Sequence, residues 1–583
     1  MNKASEIPTK FESLPNEILL EYFMYFNACQ LFYSFDRLNY RLSHLIRNST
    51  LHVDFSHVRK SIFDRFCKII LKDPQTKDRI YSLHLSNENS HGLIQKFFSS
   101  FSTTEFPHLQ SLKLTIVDVD DKTIQNLNSI ISSMKELSSL HLNCTGASTH
   151  DILSSLTTSK LKTLSATSLN RFPLHIDARF SITNLTICCY DLHHVCHLLA
   201  NLPQLNYLNV KRSSGSQEST HYMGLNENFC AVNLIAMVID DFQYGFNEIE
   251  DLFNGLPNLK SLTICSADRP TMINARQWER LITSSLPHLE TFRFRFICDL
   301  WSTDDEILEL FQQFQSDFWL KTHHWYTEYL STGSDKWICT IPCPSYRCDL
   351  TAYCDAHNCT MFSRAANQSL DSMSSERVLQ KKREFHFCDI VSLDIMNAET
   401  TTKHSLGINH IKIIKDTVNL SELCHLFILS DCKLASASVL LRILKATPKL
   451  SSIQIDSSAL LPLLVDDQLC KYLNRMIKRL DLYMSGYSPT QIFRDPTELK
   501  RFSKAFSNIE VLHCNTNQKT EFKYLLDNLQ KLISLTTLIK TIETRQTISE
   551  WLEKELAKQN ANYDIKYEER NRTCLVTVKV WMG

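Results

Sequence analysis

The sequence predicts an α/β protein in which a short all-helical N-terminal unit precedes an array of strand–helix repeats in two stretches. Three observations support this fold class. The chain has 583 residues, more than one hydrophobic core normally serves. Residues 11–47 carry apolar positions at helical spacing. Beyond residue 75 a short apolar pattern returns at intervals of some 20 to 30 residues, as it does in stacked repeats.

The N-terminal unit carries one apolar stripe at the period of a helix. The stripe consists of Ile18, Leu19, Tyr22, Phe23 and Phe26. Pro15 suits the first helical position, and Asn27 offers a cap for a second periodic stretch that ends near Leu45. A unit of roughly 40 residues cannot bury this much aromatic surface internally. The stripe therefore either packs on the rest of the chain or is a docking face.

The repeated pattern is an apolar residue, two others, an apolar residue, one other and an apolar residue. A first series has copies that begin at Ile80, Leu109, Leu137, Leu161, Ile182, Leu205, Leu259 and Leu289. A second series has copies that begin at Ile390, Leu423, Leu450, Ile477 and Ile509. A short strand, a helical return and a period in the twenties are a leucine-rich-repeat signature, and such units bury their apolar sides by stacking.

These patterns divide the chain into four expected segments. Residues 8–55 form the helical unit, and residues 75–300 form the first series. Residues 301–384 form an aromatic- and cysteine-rich insert with a polar linker, and residues 385–583 form the second series. The stretch from Tyr563 to Trp581 alternates well enough for a strand pair.

Composition excludes several classes of function. A net charge of −1 gives no electrostatic footprint for nucleic acid or an anionic membrane. Ten glycines, against a usual ~7% of residues, leave no glycine-rich phosphate loop, so no nucleotide cofactor is expected. No apolar run is long enough to span a membrane. Twenty cysteines without a signal peptide indicate reduced thiols and a location in the cytosol or nucleus.

One cluster could bind a metal. Cys354, His357 and Cys359 could supply three zinc ligands, but the paired C-x-x-C of zinc ribbons is missing, and chance clustering in a cysteine-rich chain is the preferred interpretation. Cysteines that follow repeat strands, such as Cys144 and Cys265, are expected to fill the core. No residue can be named as catalytic, so we expect a non-enzyme without cofactors.

Residues 14–19 read L-P-N-E-I-L and are followed by Phe23 and Phe26, which resembles the start of the F-box. Residues 38–42, L-N-Y-R-L, fall where that family carries its second conserved helix. The resemblance covers about 45 residues. It implies docking on the Skp-type adaptor of a Skp–cullin–F-box ubiquitin ligase, and through it on a cullin. The residues expected to contact the adaptor are Leu14, Pro15, Ile18, Leu19, Phe23, Leu31 and Leu42.

The repeats would then hold a protein substrate, whose identity the sequence does not give. Side chains between the repeat leucines alternate onto the exposed face of the sheet. The substrate-binding candidates of this kind are Tyr207, Arg293, Arg295, Phe427 and Arg479. The expected function is substrate recognition in a ubiquitin ligase. The alternative is a non-catalytic leucine-rich-repeat scaffold without a ligase role.

Overall fold

A computed structural model gives the fold of this protein. It describes residues 11–117, 121–145, 160–166, 181–188, 192–211, 229–242, 244–266, 270–297, 304–332, 335–341, 344, 347–352, 391–397, 405–428, 433–483, 492–516, 518–541, 545–570 and 573–583. This part of the chain is a mixed α/β protein of helices and mostly parallel strands. It divides into two compact units: unit 1 comprises Met1–Tyr190, Leu556–Tyr563 and Val580–Gly583, and unit 2 comprises Asp191–Glu555 and Asp564–Lys579.

Unit 1 begins with helices and continues with alternating strands and helices. Its helices are α1 (Asn16–Phe23), α2 (Ala28–Ser34), α3 (Tyr40–Asn48), α4 (Lys60–Lys72), α5 (Pro74–Asp78), α6 (Leu93–Ser100) and α7 (Asp121–Ser132). Short 3-10 turns occupy Phe11–Ser13 and Thr103–Glu105. Its strands are β1 (Leu51–Asp54), β2 (Ile80–Ser86), β3 (Ser111–Val117), β4 (Ser139–Thr145), β5 (Thr163–Ala166) and β6 (Asn184–Cys188).

The six strands of unit 1 pair in chain order and are all parallel. The middle apolar residue of each pattern copy lies beside its counterpart on the next strand. This ladder consists of Leu83, Leu112, Leu140, Leu164 and Leu185. None of its members is more than 1% exposed. The repeated leucines thus form part of the core of unit 1, because in-register pairing sets them side by side on one buried face of the sheet.

Residues far along the chain complete the start of α4. Trp581 is fully buried, its ring lies 5.5 Å from that of Phe63, and its Nε1 donates to the carbonyl of Val58 at 2.9 Å. The backbone N–H of Lys60 donates to the carbonyl of Met582 at 3.0 Å. The first turn of a helix has N–H groups without intrahelical partners, and here one of them is satisfied by the segment that contains Trp581.

Unit 2 repeats the strand–helix pattern. Its first part contains α8 (Leu192–Asn201), β7 (Tyr207–Lys211), β8 (Ala236–Phe242), α9 (Phe246–Asn254), β9 (Ser261–Ser266), α10 (Ala275–Ser285), β10 (Thr291–Ile297), α11 (Asp304–Gln313), a π-helix (Phe318–Thr322), β11 (Thr327–Thr332), β12 (Asp335–Thr340) and β13 (Arg347–Ala352). Short 3-10 turns occupy Pro270–Ile273, Leu420–Glu422 and Leu461–Val465.

The later part continues in the same manner. It contains β14 (Ser392–Asn397), β15 (Ser405–Leu406), α12 (Ile408–Thr417), β16 (His425–Ile428), β17 (Lys433–Leu434), α13 (Ala437–Ala446), β18 (Ser452–Asp456), α14 (Ser457–Leu460), α15 (Asp467–Met476), β19 (Arg479–Tyr483), α16 (Pro496–Ala505), β20 (Val511–His513), α17 (Lys519–Asn528) and β21 (Ser534–Thr541). Helix α18 (Arg545–Lys558) and strands β22 (Asn562–Arg570) and β23 (Thr573–Trp581) follow, each with residues assigned to both units.

The first sheet of unit 2 has the strand order β7-β8-β9-β10-β12-β11. Its parallel series ends at β10, which pairs with β12 in antiparallel fashion, and β11 and β12 form an antiparallel hairpin. The second sheet has the order β13-β14-β16-β18-β19-β20-β21-β23-β22. The hairpin lies in the expected insert, whose polar linker at residues 364–384 is outside the described residues.

All thirteen pattern copies lie on strands, and in twelve the strand begins two residues after the first apolar position. Strand β8 also fits the pattern, with Met237 at its middle apolar position, whereas β21 does not, because Thr537 takes the last apolar position. Met237 and Thr537 are both buried, at 1% and 2% exposure. The alternating stretch near the chain end forms β22 and β23, which confirms the expected strand pair.

Candidate docking surface on the N-terminal helices

Local sequence signals set the ends of the three N-terminal helices. Pro15 is the N-cap residue of α1, one position before the expected one, a shift that is common at helix ends. The side chain of Asn27 accepts a hydrogen bond from the N–H of Cys29 at 3.2 Å and caps α2 as predicted. Asn39 caps α3 by accepting from the N–H of Leu42 at 2.8 Å. These caps satisfy helix-end donors and fix the turns between the helices.

Arg41 on α3 holds the segment that precedes α1. Its guanidinium donates to the carbonyls of Glu12 at 2.7 Å and Leu14 at 2.6 Å, and to the side-chain oxygen of Asn16 at 2.8 Å. A guanidinium has five donors in a planar fork, so one side chain can make all three bonds. Arg41 therefore fixes the turn that presents Leu14 and Pro15.

Helix α1 has two apolar faces rather than one stripe. Leu19 and Phe23, one turn apart, are 0% and 2% exposed and face the interior. Ile18 and Tyr22, also one turn apart, are 47% and 44% exposed. Tyr25, in the turn after the helix, is 81% exposed. Successive helical residues differ by about 100°, so packing of the inner pair leaves the outer pair accessible.

Exposed apolar side chains are concentrated in this part of the molecule. Among the described residues fourteen large apolar side chains are exposed, and seven of them lie between residues 18 and 40. We call these seven the N-terminal apolar set. The set consists of Ile18, Tyr22, Met24, Tyr25, Tyr33, Leu38 and Tyr40. Single exposed apolar residues are normal, but such a concentration is typical of a protein–protein contact surface.

Aromatic rings support one side of the set. The ring centroid of Phe11 lies 5.3 Å from that of Tyr22 and 5.6 Å from that of Phe35. Phe26 lies 5.0 Å from Tyr22 and 6.1 Å from Phe35. Aromatic pairs at these separations attract one another beyond simple area burial. Tyr22 is thus exposed but held in place. Its side chain would therefore lose less conformational entropy when a partner binds.

The seven residues expected to contact an adaptor fall into two groups. Pro15 and Ile18 are exposed and Leu14 is half-buried, so these three are accessible. The other four are at most 2% exposed. They are Leu19, Phe23, Leu31 and Leu42. Direct contact of these four with a partner is therefore corrected to a role in the core, because each lies on the inward face of its helix.

Arg47 joins α3 both to the turn after α2 and to the junction of α4 and α5. The guanidinium of Arg47 on α3 lies 2.7 Å from the carboxylate of Asp36 and 3.1 Å from that of Asp73. The Asp36 side chain is 2% exposed. Burial alone would lower the pKa of Arg47, but the two carboxylates outweigh burial and raise it. Asp73 also caps α5 through the N–H of Gln75, so the ion pairs join α3 to the helix before β2.

A second anchor joins α2 to the first two strands. The side chain of Asn27 accepts from the N–H of Asp54 at 3.0 Å and donates to the carbonyl of the same residue. The Asp54 carboxylate lies 3.0 Å from Nδ1 of His84 on β2. Burial alone would raise the pKa of Asp54, but the bonds from His84 and Ser56 outweigh it and hold the pKa well below its usual range. The N-terminal helices are thus part of unit 1.

Five members of the N-terminal apolar set were not among the expected site residues or the α1 stripe. They are Met24, Tyr25, Tyr33, Leu38 and Tyr40. A signal exists for Tyr25, which follows Ile18 by seven residues and Tyr22 by three and so continues the outer face. Tyr33, with the guanidinium of Arg65 at 5.5 Å from its ring, and Tyr40 have no such signal in the sequence.

The substrate-binding candidates lie on strands of unit 2 at the predicted outward positions. Arg293 on β10 is exposed, and the other four are half-buried. Tyr207 accepts a hydrogen bond from the side chain of Asn209 at 3.3 Å. Burial raises the pKa of Asp240 against the opposing effects of Lys211 and Arg295, so Arg295 belongs to a partly buried group of charges. Their contact with a substrate stays a prediction.

The possible zinc ligands Cys354, His357 and Cys359 lie outside the described residues. Within the ranges that the structure describes, no group of three or more histidine, cysteine or carboxylate side chains could hold a metal ion. Burial raises the pKa of Cys144 to about 12, so its thiol stays protonated near neutral pH and is not a nucleophile. Cys265 is buried as well. Both cysteines fill the core, as predicted.

Among the described helices, none has the length and the apolar character needed to cross a membrane. A location in the cytosol or nucleus stays a prediction. No protein-family model matches this chain, and no curated protein is significantly similar to it in sequence.

Proposed function

We propose that this chain is the substrate-recognition subunit of a Skp–cullin–F-box type ubiquitin ligase. The observation that carries the proposal is the N-terminal apolar set, which lies on the same helices as the L-P-N-E-I-L motif at residues 14–19. An exposed apolar surface of this kind is most stable when a partner covers it. The partner is a Skp-type adaptor, and a cullin is bound through it.

The outer face of α1 is the proposed centre of the contact. Ile18 and Tyr25 offer large apolar area, and buried aromatic residues dominate the binding energy of most interfaces. Arg41 and the ring of Phe11 hold this face in one conformation before binding. The buried residues of α1 act indirectly, because they set the angle at which the outer face is presented.

The repeats are proposed to form a leucine-rich-repeat-like solenoid that holds a protein substrate. The parallel register of the leucine ladder supports this arrangement, since each unit has an apolar side that only a neighbour can cover. The chain itself transfers no ubiquitin. Its contribution is proximity, because it holds the target near a ubiquitin-loaded enzyme that the complex supplies.

A non-catalytic repeat scaffold is the second candidate. The anchors Asn27–Asp54 and Arg47–Asp73 favour it, because they integrate the helices into unit 1 in the way that a terminal cap requires. A cap, however, needs a polar outer face for solubility, whereas α1 exposes Ile18 and Tyr22. The chemistry of that outer face makes the ligase subunit the preferred function.

Binding to a purified Skp-type adaptor tests the proposal. The test variant is Ile18→Ser/Tyr25→Ser, and its matched control is Val232→Ser/Ile235→Ser, which removes two side chains of unit 2 that are 49% and 45% exposed. Changes at exposed positions alter stability by about 0.5 kcal/mol or less, so both variants should fold. Wild type and control should bind, and the test variant should bind at least tenfold more weakly. If the wild type did not bind the adaptor, the ligase proposal would fail and the repeat scaffold would be the remaining candidate function.

A further inference from the structure

Helices α13 and α15 of unit 2 carry a cleft of about 390 Å³ where their C-terminal ends meet the loop before β18. Its lining residues are Leu444, Lys445, Pro448, Lys449, Leu450, Ser451, Tyr472, Arg475 and Met476. The volume is within the range of sites that bind small groups or a few side chains. Five of the nine side chains are apolar or aromatic, and three are cationic. Leu444 and Leu450 are at most 2% exposed, so Pro448, Tyr472 and Met476 supply the accessible apolar lining.

The three cations differ in their partners. Lys449 forms an ion pair with Glu422 at 2.5 Å. The ammonium of Lys445 lies 5.6 Å from the ring centroid of Tyr472, in cation–π contact. Within the described residues Arg475 has neither a hydrogen bond nor an ion pair from its side chain. Lys445 and Arg475 are both exposed, and neither forms an ion pair with a carboxylate among the residues that the structure describes.

The local charge is positive even after the helix ends are counted. A cation in the last turn of a helix interacts favourably with the carbonyl end, and each helix end carries roughly half a negative charge. Lys445 and Arg475 occupy such last-turn positions. The net charge at the cleft is therefore roughly +1, because Glu422 and the two helix ends together offset about two of the three positive charges. This residual charge attracts an anionic group and repels a cationic one.

We propose that this cleft binds an acidic segment of a partner protein in which a large apolar side chain stands beside carboxylates. The apolar side chain packs against Pro448, Tyr472 and Met476. The carboxylates pair with Lys445 and Arg475. This site is separate from the outward positions of the strands, and it does not rest on the ligase role.

The cleft is tested with a fluorescein-labelled peptide whose centre is Glu-Phe-Glu, flanked on both sides by Gly-Ser. Its anisotropy is measured with the full chain at low ionic strength, because exposed charge pairs are screened by salt. Two matched peptides carry Gln-Phe-Gln and Glu-Ala-Glu. The first peptide should bind saturably, and each matched peptide should bind at least tenfold more weakly.

Two variants with the same change in charge locate the site. Lys445→Gln/Arg475→Gln removes the two unneutralised cations, whereas Arg442→Gln/Lys471→Gln removes two exposed cations one turn earlier on the same helices. The first variant should weaken binding at least tenfold and the second less than twofold. Neither should change adaptor binding, so failure of this proposal and failure of the ligase proposal are distinguishable.

A photo-crosslinking peptide, with benzoylphenylalanine in place of phenylalanine, gives the position directly. The crosslinks should fall within residues 444–451 and 472–476. Absence of saturable binding by the wild type, equal binding of the Gln-Phe-Gln peptide, equal losses in the two variants, or crosslinks elsewhere would each overturn the proposal.

Discussion

Helices α1 and α13 are both amphipathic, but their outward faces differ in chemistry. α13 buries Leu440 and Leu444 and exposes Arg442 and Lys445, so water covers its outer face. α1 buries one apolar pair and exposes a second apolar pair. Both helices contribute to the core of their unit in the same way. The inward residues of α1 therefore explain its folding, and the proposed docking rests on its outward residues alone.

The largest expected effect comes from the inward face of α1. Phe23→Ala removes a side chain that is 2% exposed, and such truncations cost about 3–5 kcal/mol. Tyr25→Ala, on a side chain that is 81% exposed, should cost less than about 0.5 kcal/mol. Hydrogen exchange of the amides in residues 16–48, followed by mass spectrometry, measures both. Similar hydrogen exchange in the two variants would contradict the assignment of a core face and a docking face to α1.

The next effect comes from the buried ion pair of α3. Arg47→Met leaves the Asp36 carboxylate, whose side chain is 2% exposed, with only the exposed guanidinium of Arg37 at 3.8 Å. We expect a loss of about 2–3 kcal/mol, below the usual cost for a fully buried pair because Arg47 is 27% exposed. Exchange should increase in α2, α3 and α5.

Asp36→Asn/Arg47→Met is the control for this prediction. It removes both charges and should recover most of the lost protection, since the main cost is the uncompensated charge. A double variant as destabilised as the single one would show that Arg47 acts through packing on Phe32, whose ring lies 5.6 Å from the guanidinium.

A smaller effect is expected at the turn before α1. Arg41→Ala removes three hydrogen bonds at an exposed site, and we expect a local loss of about 0.5–1 kcal/mol. Hydrogen exchange should rise at residues 12–18, and adaptor binding should weaken, while the helices stay folded. Lys68→Ala, an exposed cation on α4, is the matched control. Unchanged exchange at residues 12–18 would show that the turn is held by Phe11 alone.

The smallest effect concerns the strands of unit 1. Burial, together with Lys113 and His84, lowers the pKa of His141 from its ordinary 6.5. As the pH falls through about 6.5, the unfolded state takes up this proton before the folded state does, so the free energy of unfolding decreases. His141→Gln should remove that part of the decrease. Exchange protection of β3 to β5 between pH 7 and 5 measures it, and an unchanged pH slope would contradict the expectation.

Much of the strand pattern was predictable because it depends on a local rule. An apolar residue at every second position of a short strand is required wherever parallel strands stack in register. Strand β8 follows that rule with Met237 and Ile239, whereas β21 departs from it at Thr537. The pairing of the β11–β12 hairpin was not predicted, because it is antiparallel and depends on β10, a strand distant in sequence from β12.

The candidate site was predictable only in part. Helical periodicity identifies a broad apolar arc on α1, but it cannot tell which edge of the arc the core will take. Ile18 and Leu19 are neighbours with the same kind of side chain, and only the packing of α2 and α3 decides that Leu19 is buried. The anchors of Arg41 and Arg47 depend on contacts 25 and 26 residues apart, which no local pattern reveals.

The carbonyl of Met582 and the ring of Trp581 complete the start of α4 across 523 residues of sequence. At a synthesis rate of 5–20 residues per second, a ribosome needs roughly 30–100 s to supply them after Val58 has been made. Throughout that interval the nascent chain has its N-terminal helices but lacks the Trp581 ring that packs on Phe63. Unit 1 can therefore finish folding only after Trp581 and Met582 have been made, and any partner that bound earlier would meet an incomplete unit.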